Sequence, residues 1–425
     1  MRSPSRFEAL VRALLPLSLP LAAAAAAGCG DTSAPPASGT ADASGLENLF
    51  DLPVSGVGAD WRARFNDGDA LFEVELRDAD GLGPLYTRQG CGDCHNADDG
   101  LRGPGGAQKM SVVEADGLTP SPDQSALPWG PTVHPFVTAG ATTPIVPPAG
   151  DPNVRVTNRI GPSVLGRGYL EAVADSEIQR VAAAQAARAD AIHGTVNTYT
   201  FASQPNPDPT FDAHQPGDVV IGRFGLKARI ATLDEFVADA LQNDMGITSP
   251  LRPTEFANPD GLTDDAKPGV DATADDVNLR ADYVRTVAIP WRATPAPAAL
   301  ALFDQVLCSA CHVPTLHTRA DYPIAALADI DAPIYTDLLL HDMGDGLSDS
   351  LNDGEGAATA RTWRTAPLIG LRFSREYLHD GRATTLADAV MAHDGDGSEA
   401  HDSVQMFTSL TADQQTALLD FVGSL

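Results

Sequence analysis

Residues 299–312 read Ala-Leu-Ala-Leu-Phe-Asp-Gln-Val-Leu-Cys-Ser-Ala-Cys-His, and their last five positions form the pattern C-x-x-C-H. A second copy of this pattern stands at residues 91–95, far away along the chain. Two cysteines three positions apart, followed directly by a histidine, are typical of c-type haem attachment, in which both thiols bond to the haem and the histidine binds its iron. The sequence therefore predicts two separate covalent haems. The predicted residues are Cys91, Cys94 and His95 at the first haem and Cys308, Cys311 and His312 at the second.

Paired cysteines also have other uses. A C-x-x-C pair can be a redox dithiol, half of a zinc site or a structural disulfide, and two pairs can form one four-cysteine zinc site. The histidine after each pair, together with the export signal described next, favours haem over these alternatives. Before the second copy, apolar residues at helical spacing predict a helix packed beside the haem. These residues are Leu300, Leu302, Phe303 and Val306.

The start of the chain has the pattern of an export signal. Residues 1–28 combine early arginines with an apolar run that is too short for a comfortable membrane span. The run ends in Ala27-Gly28-Cys29, which is similar to a bacterial lipobox, so Cys29 is expected to be lipidated. An ordinary signal peptide cut nearby is the alternative. Residues 29–47 predict a flexible tether that would hold the protein on the periplasmic side of the bacterial cell envelope.

The composition indicates a globular protein with a strong negative charge. Of the 425 residues, 43% are hydrophobic and 20% are charged, and the net charge is −29 at pH 7. Such an acidic chain is not expected to bind nucleic acid. The charge can steer a cationic redox partner, or it can serve solubility alone. With 33 Pro and 38 Gly, much of the chain is expected to be irregular loop.

Helix signals dominate the rest of the chain. Thr232 is expected to be an N-cap, and Thr411 is expected to start the last helix with a capping box that includes Gln414. Another helix is expected to start at Thr385. The predicted fold is mainly α, with two cytochrome c-like haem domains, long irregular loops and small β insertions. We expect the N-terminal haem domain, with insertions, over residues 48–296 and the C-terminal one over residues 297–425.

The two halves share short motifs in the same order. Arg-x-x-Pro-x-x-x-Gly stands at residues 159–166 after the first haem motif, and a copy one residue shorter stands at residues 364–370 after the second. In each half a Gly-Arg pair and a Thr-Leu helix start then follow. We interpret this order as a duplicated haem domain, with chance agreement of short motifs as the alternative.

Several stretches carry a resemblance to a known family. The most specific are Leu-Leu-Leu-His-Asp-Met-Gly at residues 338–344 and Leu-His-Asp-Gly-Arg-Ala at residues 378–383. On these strings the chain resembles the bacterial di-haem oxidoreductases, also called di-haem peroxidases or thiol oxidoreductases, which are related to di-haem cytochrome c peroxidases. One string departs from the family pattern His-Gly-Gly-Glu-Ala. An acidic piece separates His393 from Glu399 here, so the role of Glu399 stays open.

The resemblance implies a peroxidase-like electron-transferring oxidoreductase. Electrons from a redox partner protein would enter at the C-terminal haem, and a small oxidant such as peroxide would react at the N-terminal one. A non-enzymatic di-haem electron carrier is the alternative. Peroxide chemistry would need a carboxylate that moves a proton, and Glu171 is the candidate. For Glu171 the alternative is a carboxylate that faces solvent.

The resemblance also implies sixth ligands for the two irons. It places His393, which follows the helix that starts after Thr385, opposite His312. The neighbouring Met391 is a rival, and a surface histidine is the alternative. Met245 or His134 could cap the first iron, which would then serve electron transfer only.

Three further roles follow from the resemblance. Arg223 and Arg382 are candidates for contacts to haem propionates, because a guanidinium offers a bidentate fork, and surface arginines are the alternative. Trp363 is either an electron relay between the haems or a core residue. The acidic loop at residues 345–356 is either a calcium site, as in the related peroxidases, or a solvated loop.

Overall fold

The computed structural model describes residues 40–41, 49–95, 107–138, 140–262, 267–351 and 355–425. The described residues belong to one compact unit. The predicted signal segment, Cys29 and most of the tether lie outside them. Within these ranges, no helix has the length and apolar character needed to cross a membrane.

The described part of the chain contains ten α-helices, most of them short. They are α1 Ala59–Phe72, α2 Arg167–Ala172, α3 Asp175–Ala186, α4 Leu233–Met245, α5 Ala274–Thr286, α6 Pro297–Gln305, α7 Cys308–Cys311, α8 Leu386–Met391, α9 His401–Ser409 and α10 Ala412–Gly423. The predicted caps at Thr232 and Thr411 and the predicted helix start at Thr385 are confirmed. The hydroxyls of Thr232, Thr385 and Thr411 accept hydrogen bonds from the backbone N–H groups at the third helical position.

The strands are even shorter than the helices. They are β1 Thr40–Ala41, β2 Leu85–Tyr86, β3 Ala107–Val112, β4 Phe136–Val137, β5 Val154–Arg159, β6 Thr198–Thr200, β7 Val219–Ile221, β8 Ile289–Pro290, β9 Leu316–His317, β10 Asp331–Ala332, β11 Leu340–Asp342 and β12 Thr362–Arg364. The sheets described are all two-stranded, and the longest pairs β3 with β5 antiparallel, from Ala107 opposite Arg159 to Val112 opposite Val154.

The prediction of a mainly α fold with two cytochrome c-like domains is wrong. Of the described residues, 31% are helical when the short 3-10 turns are included, and 15% are in strands or isolated β-bridges, so the architecture is mixed. The sequence did not show these strands because an alternating pattern needs at least four residues, whereas most of the strands have two or three. Partners such as β3 and β5 are also separated by a long segment that is rich in Gly and Pro.

The main apolar core joins the two halves of the chain. Leu165, Tyr169 and Ile289 from the first half and Leu316 and Leu339 from the second belong to one buried cluster. Around it, α1 packs against α5, and α5 also contacts α2 and α4. Burial of this shared apolar surface is the main force that holds the halves together.

A second, smaller core supports the C-terminal haem motif. Phe303 and Val306, from the predicted helix before that motif, are buried with Phe407, Leu418 and Phe421. The helix prediction is confirmed, because α6 ends at Gln305, three residues before Cys308. The apolar face of α6 therefore fixes where the motif begins.

The duplicated Arg-x-x-Pro motifs end in the same backbone conformation. Gly166 and Gly370 both have a left-handed backbone, with φ of 67° and 71°, and each stands directly before a helical turn. Glycine adopts this conformation without steric cost, which is why it ends both strings. This agreement supports the interpretation of an internal repeat.

Candidate haem sites

The first C-x-x-C-H motif folds into a single turn. The backbone N–H groups of Cys94 and His95 both donate to the carbonyl oxygen of Cys91, at 3.1 and 2.9 Å. Cys91 and Cys94 are both free thiols. The turn therefore presents two thiols and one imidazole from neighbouring positions, the donor set that covalent haem attachment requires.

His95 is closely packed against the Arg-x-x-Pro motif at residues 159–166. A Cβ added at Gly161 would lie 3.1 Å from its Cε1 atom, and the Phe72 ring centroid is 6.0 Å from its own. Burial, with a smaller contribution from the nearby Arg167 charge, lowers the pKa of His95 to about 4. The ring is therefore neutral at pH 7, as an iron ligand must be. Its Nδ1 is buried without a hydrogen-bond partner.

The second motif forms the one-turn helix α7. The His312 N–H donates to the Cys308 carbonyl oxygen at 2.9 Å, and both cysteines of this motif are also free thiols. His312 Nδ1 lies 3.2 Å from the carbonyl oxygen of Tyr335. This contact orients the ring and leaves Nε2 for a metal, the arrangement usual for metal-bound histidines.

His393 is oriented by a backbone carbonyl oxygen in the same way as His312. Its Nδ1 lies 2.7 Å from the carbonyl oxygen of Ala389, so its Nε2 is also left for a metal. Burial, and second the proximity of His393, lower the pKa of His312 to about 4. His393 therefore offers a free imidazole nitrogen, whereas the rival Met391 is 44% exposed.

The two possible ligands of the first iron differ in their surroundings. Met245 is buried in an apolar cluster with Leu241 and Leu251, and Cys91 packs against the same cluster. His134 is buried elsewhere, with Nε2 2.7 Å from the carbonyl oxygen of Asn243. Of the two, the structure places only Met245 beside a residue of the first motif. The ligand assignment itself stays a prediction.

Glu171 lies in α2 and is almost fully buried. Its carboxylate accepts hydrogen bonds from Arg285 Nε at 2.7 Å, from Tyr322 Oη at 2.7 Å and from the Leu233 N–H at 2.7 Å. Burial alone would raise the pKa of Glu171, but Arg285 and these donors outweigh it, so the pKa is lowered. The sequence suggested either a carboxylate that moves a proton or one that faces solvent. It could not predict this network, because Arg285 and Tyr322 are distant along the chain.

Replacement of Glu171 by Gln is expected to lower the free energy of unfolding by about 3 kcal/mol. The reason is that the Arg285 guanidinium would lose a charged partner in a buried network. Chemical denaturation measures this change. Glu177→Gln, in the half-exposed pair with Arg180, is the control and should cost less than about 1 kcal/mol. An unchanged stability together with a loss of peroxide turnover would instead assign Glu171 to proton transfer.

The two arginines predicted to contact propionates bind protein groups. Arg223 donates to the carbonyl oxygens of Glu171 and Val173 at 3.0 and 2.6 Å and pairs with Asp175. Arg382 is half-exposed and pairs with Asp380. These contacts fix the end of α2 and a surface turn, and the propionate roles stay predictions.

Other cationic residues near the motifs were missed in the sequence. Arg280 is buried close enough to Cys91 to lower the pKa of that thiol, although burial raises it overall, and Arg280 Nε has no hydrogen-bond partner. Arg292 is buried over the Tyr335 ring, and burial lowers its pKa to about 10. Buried guanidinium groups with spare donors suit an anion such as a propionate. No local sequence pattern predicts that Arg280 and Arg292 are buried, because their burial depends on distant residues.

Trp363 is a core residue with an unusual environment. Its ring stacks on His379 with centroids 3.7 Å apart, and Lys227 Nζ lies 3.3 Å from the ring centroid. The indole N–H donates to the Leu347 carbonyl oxygen at 2.8 Å. A buried ammonium beside the ring opposes a positive charge on it. This environment therefore disfavours Trp363 as a relay that is transiently oxidised.

Two acidic residues of the 345–356 loop, Asp345 and Asp349, face cations of the protein. Asp349 pairs with Arg159 at 2.6 Å and lies 4.0 Å from Lys227, and Asp345 pairs with Arg361 at 3.0 Å. Residues 352–354 of the loop lie outside the described ranges. A calcium ion here stays a prediction.

Comparison with known proteins agrees with the donor set of the second motif. A family model described as "Di-haem oxidoreductase, putative peroxidase" matches residues 149–425, which include the second motif but not the first. No curated protein matches the chain. A structure of hydrazine synthase from Kuenenia stuttgartiensis, pressurised with 20 bar xenon, covers 89% of this chain and 91% of its own at 12% identity. Its TM-score of 0.37 is too low to assign a fold.

Each motif supplies two thiols and a neutral imidazole, and the buried guanidinium groups can receive propionates, so the residues present fit a haem. The family match covers well over half of the chain. The protein therefore belongs to the di-haem oxidoreductase family, with haem as its cofactor.

Proposed function

We propose that this protein is a c-type di-haem oxidoreductase of the peroxidase type. The observation that supports it best is an asymmetry between the two motifs. His393 is oriented by the Ala389 carbonyl oxygen and keeps its Nε2 for a metal, whereas His134, the histidine considered for the first iron, has its Nε2 on the Asn243 carbonyl oxygen. The C-terminal iron would therefore be closed by two imidazoles and suited to electron entry. The N-terminal iron would be open to a small oxidant.

A haem with an open axial position supplies the site at which hydrogen peroxide takes up two electrons and two protons to give two water molecules. The protein residues hold and tune that site. His95 is kept neutral by burial, so its lone pair is available to iron. Cys91 and Cys94 would fix the macrocycle covalently. The nearby positive charge of Arg167 favours anionic groups beside His95.

The test is an EPR spectrum of the purified, oxidised holoprotein, followed by reaction of the reduced protein with hydrogen peroxide. We expect one low-spin and one high-spin signal, because in this proposal only the C-terminal iron is closed by a second protein ligand. We also expect one peroxide to reoxidise both haems. Two low-spin signals and no reaction with peroxide would show that the protein is an electron carrier without peroxidase activity.

We further propose that the protein is anchored in the bacterial cell envelope by a lipid on Cys29. The support is the lipobox-like string before that residue. The native protein should partition with membranes, and Cys29→Ser should release it or block its processing. Wild-type protein that is freely soluble in the periplasm would contradict the anchor. The negative charge of the chain suits a cationic redox partner on that side of the membrane.

A further inference from the structure

One histidine outside the predicted ligand set lies against the second haem motif. His341, in β11, is only 2% exposed, and its Nδ1 is 3.7 Å from Cys311 Sγ. The same nitrogen is 2.7 Å from Glu399 Oε2, and Nε2 is 2.9 Å from Asp337 Oδ2. The imidazole is thus held between two carboxylates beside a haem-attachment cysteine.

These contacts determine the protonation of His341. A carboxylate oxygen can only accept a hydrogen bond, so both ring nitrogens must donate and both must carry protons. The ring is then a positively charged imidazolium. Cys311, Asp337 and His341 lie close enough together to suggest a metal site. An imidazolium has no lone pair for a metal, however, so the cluster is an ion-pair network.

Both carboxylates are fixed by further hydrogen bonds. Asp337 accepts from Gln185 Nε2 at 2.7 Å, and the same amide donates to the Ala310 carbonyl oxygen, inside the second motif, at 2.8 Å. Glu399 accepts from the N–H groups of Asp342 and His193, both at 3.0 Å. Neither carboxylate can turn away from His341 without losing these bonds, so the charges hold fixed positions.

The acidic insertion before Glu399 does not displace it. Ser398 forms a β-bridge with Met343, and the Asp345 N–H donates to the Asp396 carbonyl oxygen at 3.2 Å. The inserted piece therefore packs onto the residues that follow β11, and Glu399 reaches His341. The question that the sequence left open about Glu399 is answered by this contact.

We propose that His341 is a positioning residue whose buried positive charge raises the reduction potential of the haem held by Cys308 and Cys311, and that Glu399 opposes it. The proposal rests on the covalent attachment proposed above. A fixed positive charge in a poorly screened interior favours the ferrous state, which carries one positive charge fewer than the ferric state. A fixed negative charge acts in the opposite direction.

The experiment is a redox titration of the holoprotein at pH 8, followed by the low-spin EPR signal. His341→Gln should lower the reduced-to-oxidised ratio at a fixed potential by about tenfold, which is about 59 mV for one electron. Glu399→Gln, which keeps the shape of the side chain, should raise that ratio. The double variant should return close to wild type. Opposite shifts from neighbouring residues are not expected if the two side chains only support the fold.

His317→Gln is the matched control. His317 also lies between two aspartates, Asp331 at 3.0 Å and Asp329 at 3.2 Å, but it is exposed to solvent. Water screens its charge, so no shift of the potential is expected.

The outcomes separate this inference from the proposed function. Wild-type protein with no haem on Cys308 and Cys311 would overturn the proposed attachment. If the wild type carries both haems but the two single variants leave the potential unchanged, or shift it in the same direction, His341 has no electrostatic role. If His341→Gln fails to retain haem, the potential of Glu399→Gln is the test. A raised potential supports the electrostatic role of this network, and an unchanged or lowered potential contradicts it.

Discussion

Replacement of both Cys308 and Cys311 by alanine is expected to remove about half of the haem that stays bound to the denatured protein. Thioether bonds survive denaturation, whereas a haem held only by axial ligands is lost. The folded protein presents these two thiols on the single turn of α7, with His312 directly after them. Haem staining of a denaturing gel, scaled to total protein, measures the loss.

The matched variant at the first motif makes this prediction specific. Cys91→Ala with Cys94→Ala should remove the other half, and all four replacements together should leave no stain. Cys29→Ser should keep the full stain per molecule, since that thiol lies outside both motifs. Full staining of either double variant would contradict attachment at that motif.

Replacement of His393 by alanine is expected to convert one low-spin iron signal into a high-spin signal. Imidazole is a strong-field ligand, and its loss would leave a water molecule or an open position on the C-terminal iron. The Nδ1 of His393 is already held by the Ala389 carbonyl oxygen, which leaves its Nε2 for the iron. EPR spectroscopy of the oxidised protein measures the change.

His393→Met separates the chemical role of His393 from a structural one. A thioether can still complete the coordination, but it favours ferrous iron, so the potential of this haem should rise. His401→Ala is the control, because His401 is a half-exposed histidine of α9 that pairs with Asp394. It should leave both signals unchanged. If His393→Ala also leaves both signals unchanged, the sixth ligand of this iron must come from another residue.

The candidate sites illustrate what tertiary packing adds to a local sequence motif. The C-x-x-C-H strings identified the cysteines and two histidines, because attachment needs only residues within one turn. They did not reveal that Glu171 would meet Arg285 and Tyr322, or that Glu399 would reach His341. Both networks join residues from distant parts of the chain. The tertiary structure decides which residue pairs with a buried charge, and no local sequence pattern predicts that pairing.

The sequence by itself determined the two haem motifs, the family resemblance, the helix before the second motif, the N-caps at Thr232 and Thr411 and the helix start at Thr385. Each depends on residues within about four positions, where hydrogen bonding and side-chain spacing are set locally. Only the tertiary structure decided the mixed architecture, the pairing of β3 with β5 and the placing of His341 between Asp337 and Glu399. The physical reason is that these contacts join segments far apart in the chain, and burial of the shared apolar core brings them together.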